Sequence, residues 1–325
     1  MKRTHLTILN AGIAFIMAFI LSQFTSIIGV SITEFIFSAC GKTATQIETF
    51  WNTSVGYLLQ ALYMNLAFVG IFVWYYKSIG KQNIINKPDK STYKYFSICL
   101  IIGIVSMFLL SGTLNYFNLI LDKIGISVSN PDIPLNSIGD YLVCIISLAV
   151  IPAICEEILF RGVLINTLKH KGHIFAIVAS AIMFAIFHFS PLQLIYPICF
   201  GLILGIIYLR TQNIIFPIII HFINNALSLT IQYFSKSSGE FTHSTFMLIY
   251  SIVTLVLWII IICWMFKDFN KYKTSKLDNQ NIVQTTETNN KNLNTQNTSN
   301  DKLSNWVFYG SIILMLCIYI LLLTI

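Results

Sequence analysis

Charge is what this chain has least of. Lys, Arg, Asp and Glu make up 10% of its 325 residues, against about a quarter in an ordinary soluble domain, so a water-facing globular surface is excluded. Acidic side chains are the scarcer kind: 13 Asp and Glu stand against 20 Lys and Arg, a net charge of +7. Cysteine is sparse and unpatterned. The seven residues lie at 40, 99, 144, 155, 199, 263 and 317, an odd total with no Cys-x-x-Cys pair, which implies neither a disulfide framework nor a structural zinc site.

What is abundant is apolar. Hydrophobic residues reach 56% and aromatics 14%, with a mean hydropathy of +0.74, and these values place the chain among polytopic membrane proteins, in which lipid takes over the role of a soluble core. A span needs about 20 apolar residues. Windows of that kind fall at about 7–30, 55–76, 95–121, 141–168, 173–189, 194–210, 213–232, 245–266 and 306–325. The expected fold is an all-α polytopic transmembrane helix bundle of about eight core spans plus an extra C-terminal one. The expected division is a multi-span membrane domain over 1–267 with its core at about 140–232, a linker over 268–305 and a transmembrane helix over 306–325. The linker is rich in Asn, Thr, Gln and Lys, and such a composition cannot bury enough surface to fold.

Lysine and arginine gather in alternate loops. Lys2 and Arg3 precede the first span, Lys77, Lys81, Lys87, Lys90 and Lys94 follow the second, and Lys169 and Lys171 follow the fourth. This pattern puts the N-terminus in the cytoplasm of a multi-pass membrane protein, read here as bacterial and in the plasma membrane. The basic balance thus has a topological cause, and nucleic acid is not expected as a partner; the bilayer is.

Only two of the carboxylates, Glu156 and Glu157, lie inside a long apolar run, with Arg161 the only embedded basic residue. A charged group at membrane depth costs on the order of 2.5 to 3.5 kcal/mol even on lenient scales, so such a cluster needs partners and usually has a task. Glu157 and Arg161 stand at i and i+4 and share a helix face, whereas Glu156 is turned about 100° away. The spacing predicts a neutralised Glu157, either as a structural ion pair or as a site-ordering one, and an unpaired Glu156 facing a separate cavity. Pro152 frees the carbonyl of Leu148 one turn before Glu156, and Pro217 stands in the same relation to His221, so two kinks are expected beside the most polar stretches.

Of six histidines, His188 and His221 alone lie within apolar spans, and Asn225 follows His221 at i+4. Counting ~1.5 Å per residue from the span ends allows these groups similar depths on antiparallel neighbours. The chemistry that suits them is hydrolysis. A desolvated carboxylate is a capable base towards water, a neutral imidazole serves a second proton transfer, and an amide with an imidazole N–H could donate to an oxyanion. Glu156, His188 and His221 could equally bind Zn²⁺ with a water in the fourth position.

Three motifs in order, Glu156-Glu157-Ile-Leu-Phe-Arg161, Phe184-Ala-Ile-Phe-His188 and His221-Phe-Ile-Asn-Asn225, make the chain resemble the CPBP intramembrane endopeptidases. That family includes the type II CAAX prenyl endopeptidases, the Abi proteins and bacteriocin-immunity relatives. The resemblance covers about residues 140–232. It implies a membrane-embedded protease in which Glu156 activates water with His188 beside it, His221 and Asn225 stand near the scissile carbonyl, and Glu157 and Arg161 order the site. It implies a metal-free glutamate mechanism in preference to a zinc one, and a peptide or membrane-associated protein as substrate. The chain has no His-Glu-x-x-His helix, no Gly-x-Ser-Gly serine motif accompanied by a histidine and no paired intramembrane aspartates, so other types of intramembrane protease fit poorly. The alternatives from outside the protease class are a non-catalytic immunity or scaffold protein and a proton-coupled transporter using the same Glu and His residues.

Overall fold

The computed structural model describes residues 8–79, 84–88, 92–93, 95–105, 123, 132–188, 194–235, 252–253, 256–257, 259–271, 308–310 and 312–313. Among these residues the regular elements are helices, and the one β-type pairing is an isolated bridge between Ile85 and Asn213. The all-helical fold is as expected. In chain order the helices are α1 (Ile8–Ala39), α2 (Ala44–Trp51), α3 (Ser54–Ile79), α4 (Tyr95–Val105), α5 (Ile138–Lys171), α6 (His173–Ile186), α7 (Ile195–Thr211), α8 (Ile215–Ser235) and α9 (259–271).

Four described helices, α1, α3, α5 and α8, are long and apolar enough to cross a membrane. The chain is an integral membrane protein. By contrast α6 has 14 residues and α7 has 17; at ~1.5 Å per residue these reach about 21 and 25 Å, short of a hydrocarbon core of about 30 Å. The expected spans at 95–121, 245–266 and 306–325 lie partly outside the described residues, and so does the expected linker beyond residue 271.

The bundle is organised around α5. Every residue from Leu159 to Leu168 is buried, which is the mark of a helix enclosed on all sides. It is packed by α1, α3, α6, α7 and α8. On α1 the inward stripe is Ala11, Ala14, Phe15 and Ala18, all fully buried, at the i, i+3, i+4, i+7 spacing of one helical face. Its three small residues let backbones approach, as they do in membrane helix pairs. Further along α1 the large side chains Phe24, Ile27, Ile32 and Phe35 are exposed, as lipid-facing positions should be.

Winding within α5 is uneven. An α-helical piece, Ile151–Glu157, lies between two π-helical ones, Ile146–Val150 and Ile158–Ile165. Such turns are rare and gather at functional sites. Gly172, at φ 125°, then adopts a backbone conformation that side chains disfavour and lets the chain turn from α5 into α6. Between α7 and α8 the connection is pinned from outside. Ile214 N–H donates to the carbonyl of Ile84 at 2.9 Å, Asn213 Nδ2 donates to Asn86 O at 2.7 Å, and Asn213 Oδ1 accepts from Ile215 N–H at 2.9 Å.

That start for α8 corrects one expectation. Pro217 lies in the first turn of the helix, where leading N–H groups have no intrahelical acceptor in any case. Its missing N–H breaks no helical hydrogen bond, so the reason for expecting a kink before His221 does not apply there.

C-terminal elements reach the same core. Met265 and Phe269 of α9 and Phe308 are buried in it, Phe269 meets His173, Phe308 meets Phe175, and Asp268 lies 3.7 Å from Arg210.

Helix α6 packs closely on α7 at Gly201. A Cβ at Gly201 would lie 3.0 Å from the backbone Cα of Ala181, whereas one at Gly70 would meet nothing within 4 Å. Gly201→Val should therefore destabilise the detergent-solubilised protein by about 1–3 kcal/mol through overpacking, read as a lowered melting temperature. Gly70→Val should leave it near that of the wild type.

Candidate active site

The polar groups converge where α5, α6, α7 and α8 meet. On α5, Glu157 Oε1 accepts from Arg161 Nη1 at 2.7 Å, with both side chains fully buried. The i, i+4 spacing predicted this pair. The guanidinium extends beyond it: Nη2 donates to the carbonyl of Gly201 on α7 at 3.2 Å, and its carbon lies 5.0 Å from the centre of the Phe184 ring on α6. Arg161 thereby ties three helices together by an ion pair, a hydrogen bond and a cation–π contact.

The same oxygen of Glu157 meets His221. Nδ1 of His221, on α8, is 2.8 Å from Glu157 Oε1. A carboxylate can only accept, so Nδ1 carries the proton, and in the neutral ring Nε2 is left with a free lone pair. That second nitrogen lies 3.8 Å from Glu156 Oε2. One imidazole thus faces both acids, which corrects the expectation that Glu156 would face a separate cavity. Side chains about 100° apart on one helix diverge, but the two nitrogens of a ring on the facing helix lie far enough apart to meet both.

The two acids differ in surroundings. Glu157 is wholly buried, whereas Glu156 keeps 16% of its side chain exposed. Glu156 Oε2 and Glu157 Oε2 are each buried with no hydrogen-bond partner among the described residues. Aromatic rings enclose His221: Phe184 and Phe200 stand edge-on to it at 5.8 and 5.6 Å.

His188 lies just past the end of α6, one residue beyond its C-cap Phe187. Its Nδ1 is 2.8 Å from the carbonyl of Phe184, and its ring stands edge-on to Phe184 at 4.8 Å. A carbonyl accepts only, so here too Nδ1 holds the proton and Nε2 is bare. No hydrogen bond or ion pair joins His188 to Glu156 among the described residues. The arrangement brings Glu156, Glu157, Arg161 and His221 into direct contact, with His188 linked to them through Phe184.

Asn225 is engaged in bracing. Its Nδ2 donates to the carbonyl of Leu148 at 3.3 Å, the carbonyl that Pro152 deprives of its α-helical donor. Its Oδ1 accepts from Asn224 Nδ2 at 3.2 Å, and Asn224 Oδ1 in turn accepts from the Tyr196 hydroxyl. Motif spacing does not single out Tyr196, Asn224, Phe200 or Gly201. For Asn224 a signal existed in the doubled Asn of the third motif, and for Gly201 in a glycine within a helical pattern. Nothing in sequence separates Tyr196 from the other aromatics.

Zinc would place different demands on these donors. Among the described residues no three His, Cys, Asp or Glu side chains gather as a metal site would need. His188 has no hydrogen bond or ion pair to Glu156 or His221 among the described residues. Glu156, His188 and His221 are not brought together as such a group among the described residues.

Removing Arg161 leaves Glu157 buried without its cation. Arg161→Ala should destabilise the protein by about 3–5 kcal/mol, measured as a loss of melting temperature in detergent. Arg161→Lys should fall between that variant and the wild type, because a single ammonium cannot reproduce the fork that reaches Glu157 and Gly201 together.

Comparison with known proteins agrees with the motif reading. Residues 138–227 match the model of a family described as Rce1-like type II CAAX prenyl endopeptidases. The match spans α5 to α8 up to Leu227 and contains every residue of the site. None of the curated proteins and none of the solved structures matches the chain.

Proposed function

We propose, from that family match and the geometry it encloses, that the protein is an intramembrane endopeptidase that hydrolyses a peptide bond in or near the membrane. The observation that carries the proposal is the unequal use of two adjacent acids. Glu157 Oε1 is occupied by Arg161 and His221, while Glu156 Oε2 has no hydrogen-bond partner among the described residues and stands 3.8 Å from the bare Nε2 of His221. A water donating to both atoms closes a triangle with two hydrogen bonds of about 2.8 Å. Both its protons are then held, and its lone pairs are free to attack.

In this reading Glu156 takes a proton as the water attacks the carbonyl carbon, and His221 steadies the water. Asn225 Nδ2 has one N–H on Leu148 and a second for the developing oxyanion. As the C–N bond breaks, the proton taken up by Glu156 goes to the leaving amine, with the bare Nε2 of His188 as its relay. Glu157 and Arg161 act on none of these atoms and keep His221 in place. No metal is required in this scheme. The substrate is a peptide or membrane-associated protein, with the bilayer as the other partner.

The topology that goes with this reading has an N-terminus in the cytoplasm, a bacterial plasma membrane setting and about eight core spans. The division places the enzyme within 1–267, the linker over 268–305 and a further span over 306–325.

New N-termini profiled in membranes from cells expressing the wild type, but absent with Glu156→Gln at equal protein level, are the expected result. The loss of product should be about 10²- to 10⁴-fold, the usual size of a general base, with a smaller but clear loss for His188→Ala. Full activity in both variants would contradict the proposal.

A further inference from the structure

The chain of hydrogen bonds from Leu148 to Tyr196 has a direction, and one atom sets it. Pro152 has no N–H, so the carbonyl of Leu148 loses its α-helical donor and instead accepts from Asn225 Nδ2 at 3.3 Å. A carbonyl cannot donate, so Asn225 must turn its NH2 group towards α5 and its oxygen away. That oxygen, in turn, can only accept, and it accepts from Asn224 Nδ2 at 3.2 Å. Asn224 is thereby left presenting Oδ1 to the Tyr196 hydroxyl, which must donate. The sense of every bond follows from the first one.

Resting on the hydrolase reading above, we infer that Tyr196 and Asn224 are positioning residues, and that with Pro152 they hold the Asn225 amide with its NH2 group towards α5. Reversed, Asn225 would present an oxygen to Leu148 and to any oxyanion formed beside it, and both contacts would be repulsive. Two further observations place the chain beside the reacting groups. Leu148 and Glu156 share α5, with Pro152 between them. Tyr196 stacks on Phe200 at 5.6 Å and 20°, and Phe200 stands edge-on to His221. Asn224 is 6% exposed, so little water is at hand to replace a lost partner.

The proline supplies the discriminating variant. A kink-forming proline with a purely structural role is expected to be neutral or unfavourable to stability in the middle of a helix. Pro152→Ala restores an N–H that competes with Asn225 for Leu148. It should therefore lower activity while leaving the melting temperature at or above that of the wild type. Tyr196→Phe keeps the ring and its stacking and removes only the donor.

The test uses the full chain in lipid and a synthetic peptide spanning the Glu156-dependent cleavage found in membranes. For Tyr196→Phe and Pro152→Ala, kcat is expected to fall about tenfold at unchanged KM, the scale of one hydrogen bond. The double variant should lose no more than the worse single one, since both cut the same chain. Equal losses of kcat and melting temperature in Pro152→Ala, or wild-type kcat in Tyr196→Phe while Glu156→Gln is inactive, would overturn the positioning role and leave the hydrolase reading standing. Full cleavage by Glu156→Gln would overturn both.

Discussion

One buried oxygen holds the centre of this molecule together. Glu157 Oε1 accepts from Arg161 on its own helix and from His221 on another, with all three side chains buried. A carboxylate there is tolerable only with its charge matched, and the guanidinium that matches it is committed in turn to an α7 carbonyl and an α6 ring. Four helices meet at a single ion pair. Buried pairs of this kind add little net stability over a well-packed apolar core but make any single loss severe. What the pair supplies is position: it fixes which nitrogen of His221 carries a proton and which way the other points.

Everything proposed for Glu156 depends on that fixing. Its neighbour in sequence is fully buried, with one oxygen shared by Arg161 and His221, while Glu156 itself is partly exposed and faces a ring nitrogen with a free lone pair. Adjacent acids with unlike surroundings can take unlike parts, one as scaffold and one as base. The helix that carries them is wound irregularly on both sides, by π-turns before and after Ile151–Glu157. The proline within that piece releases a carbonyl, and the carbonyl is what orients Asn225. Local departures from regular helix and the polar chemistry are thus the same feature described twice.

Much of this is legible in the sequence. The i, i+4 relation of Glu157 and Arg161 is a property of any helix, so the ion pair follows from spacing alone. The three motifs locate His188, His221 and Asn225, and the scarcity of charge identifies the membrane setting. What spacing does not carry is contact between helices. That His221 faces both acids depends on how α8 is rotated against α5, and no interval within one helix encodes it. Pro217 misleads because helix boundaries are weakly marked inside a continuous apolar stretch; the Asn213 cap and the pairing of Ile84 with Ile214 set where α8 starts, and Ile84 comes from a segment about 130 residues earlier. The apolar windows at 173–189 and 194–210 are the shortest of the nine, and α6 and α7 are accordingly shorter than the four long helices.

The central claim is that two neighbouring glutamates divide the labour of structure and chemistry. It is tested most directly by comparing Glu156→Gln with Glu157→Gln for thermal unfolding of the purified protein in lipid, each made once alone and once with Arg161→Met. The account predicts that Glu156→Gln melts with the wild type, while Glu157→Gln melts well below it and is partly restored when Arg161 is neutralised as well. Equal losses for the two glutamates, or a stable Glu157→Gln, would contradict it.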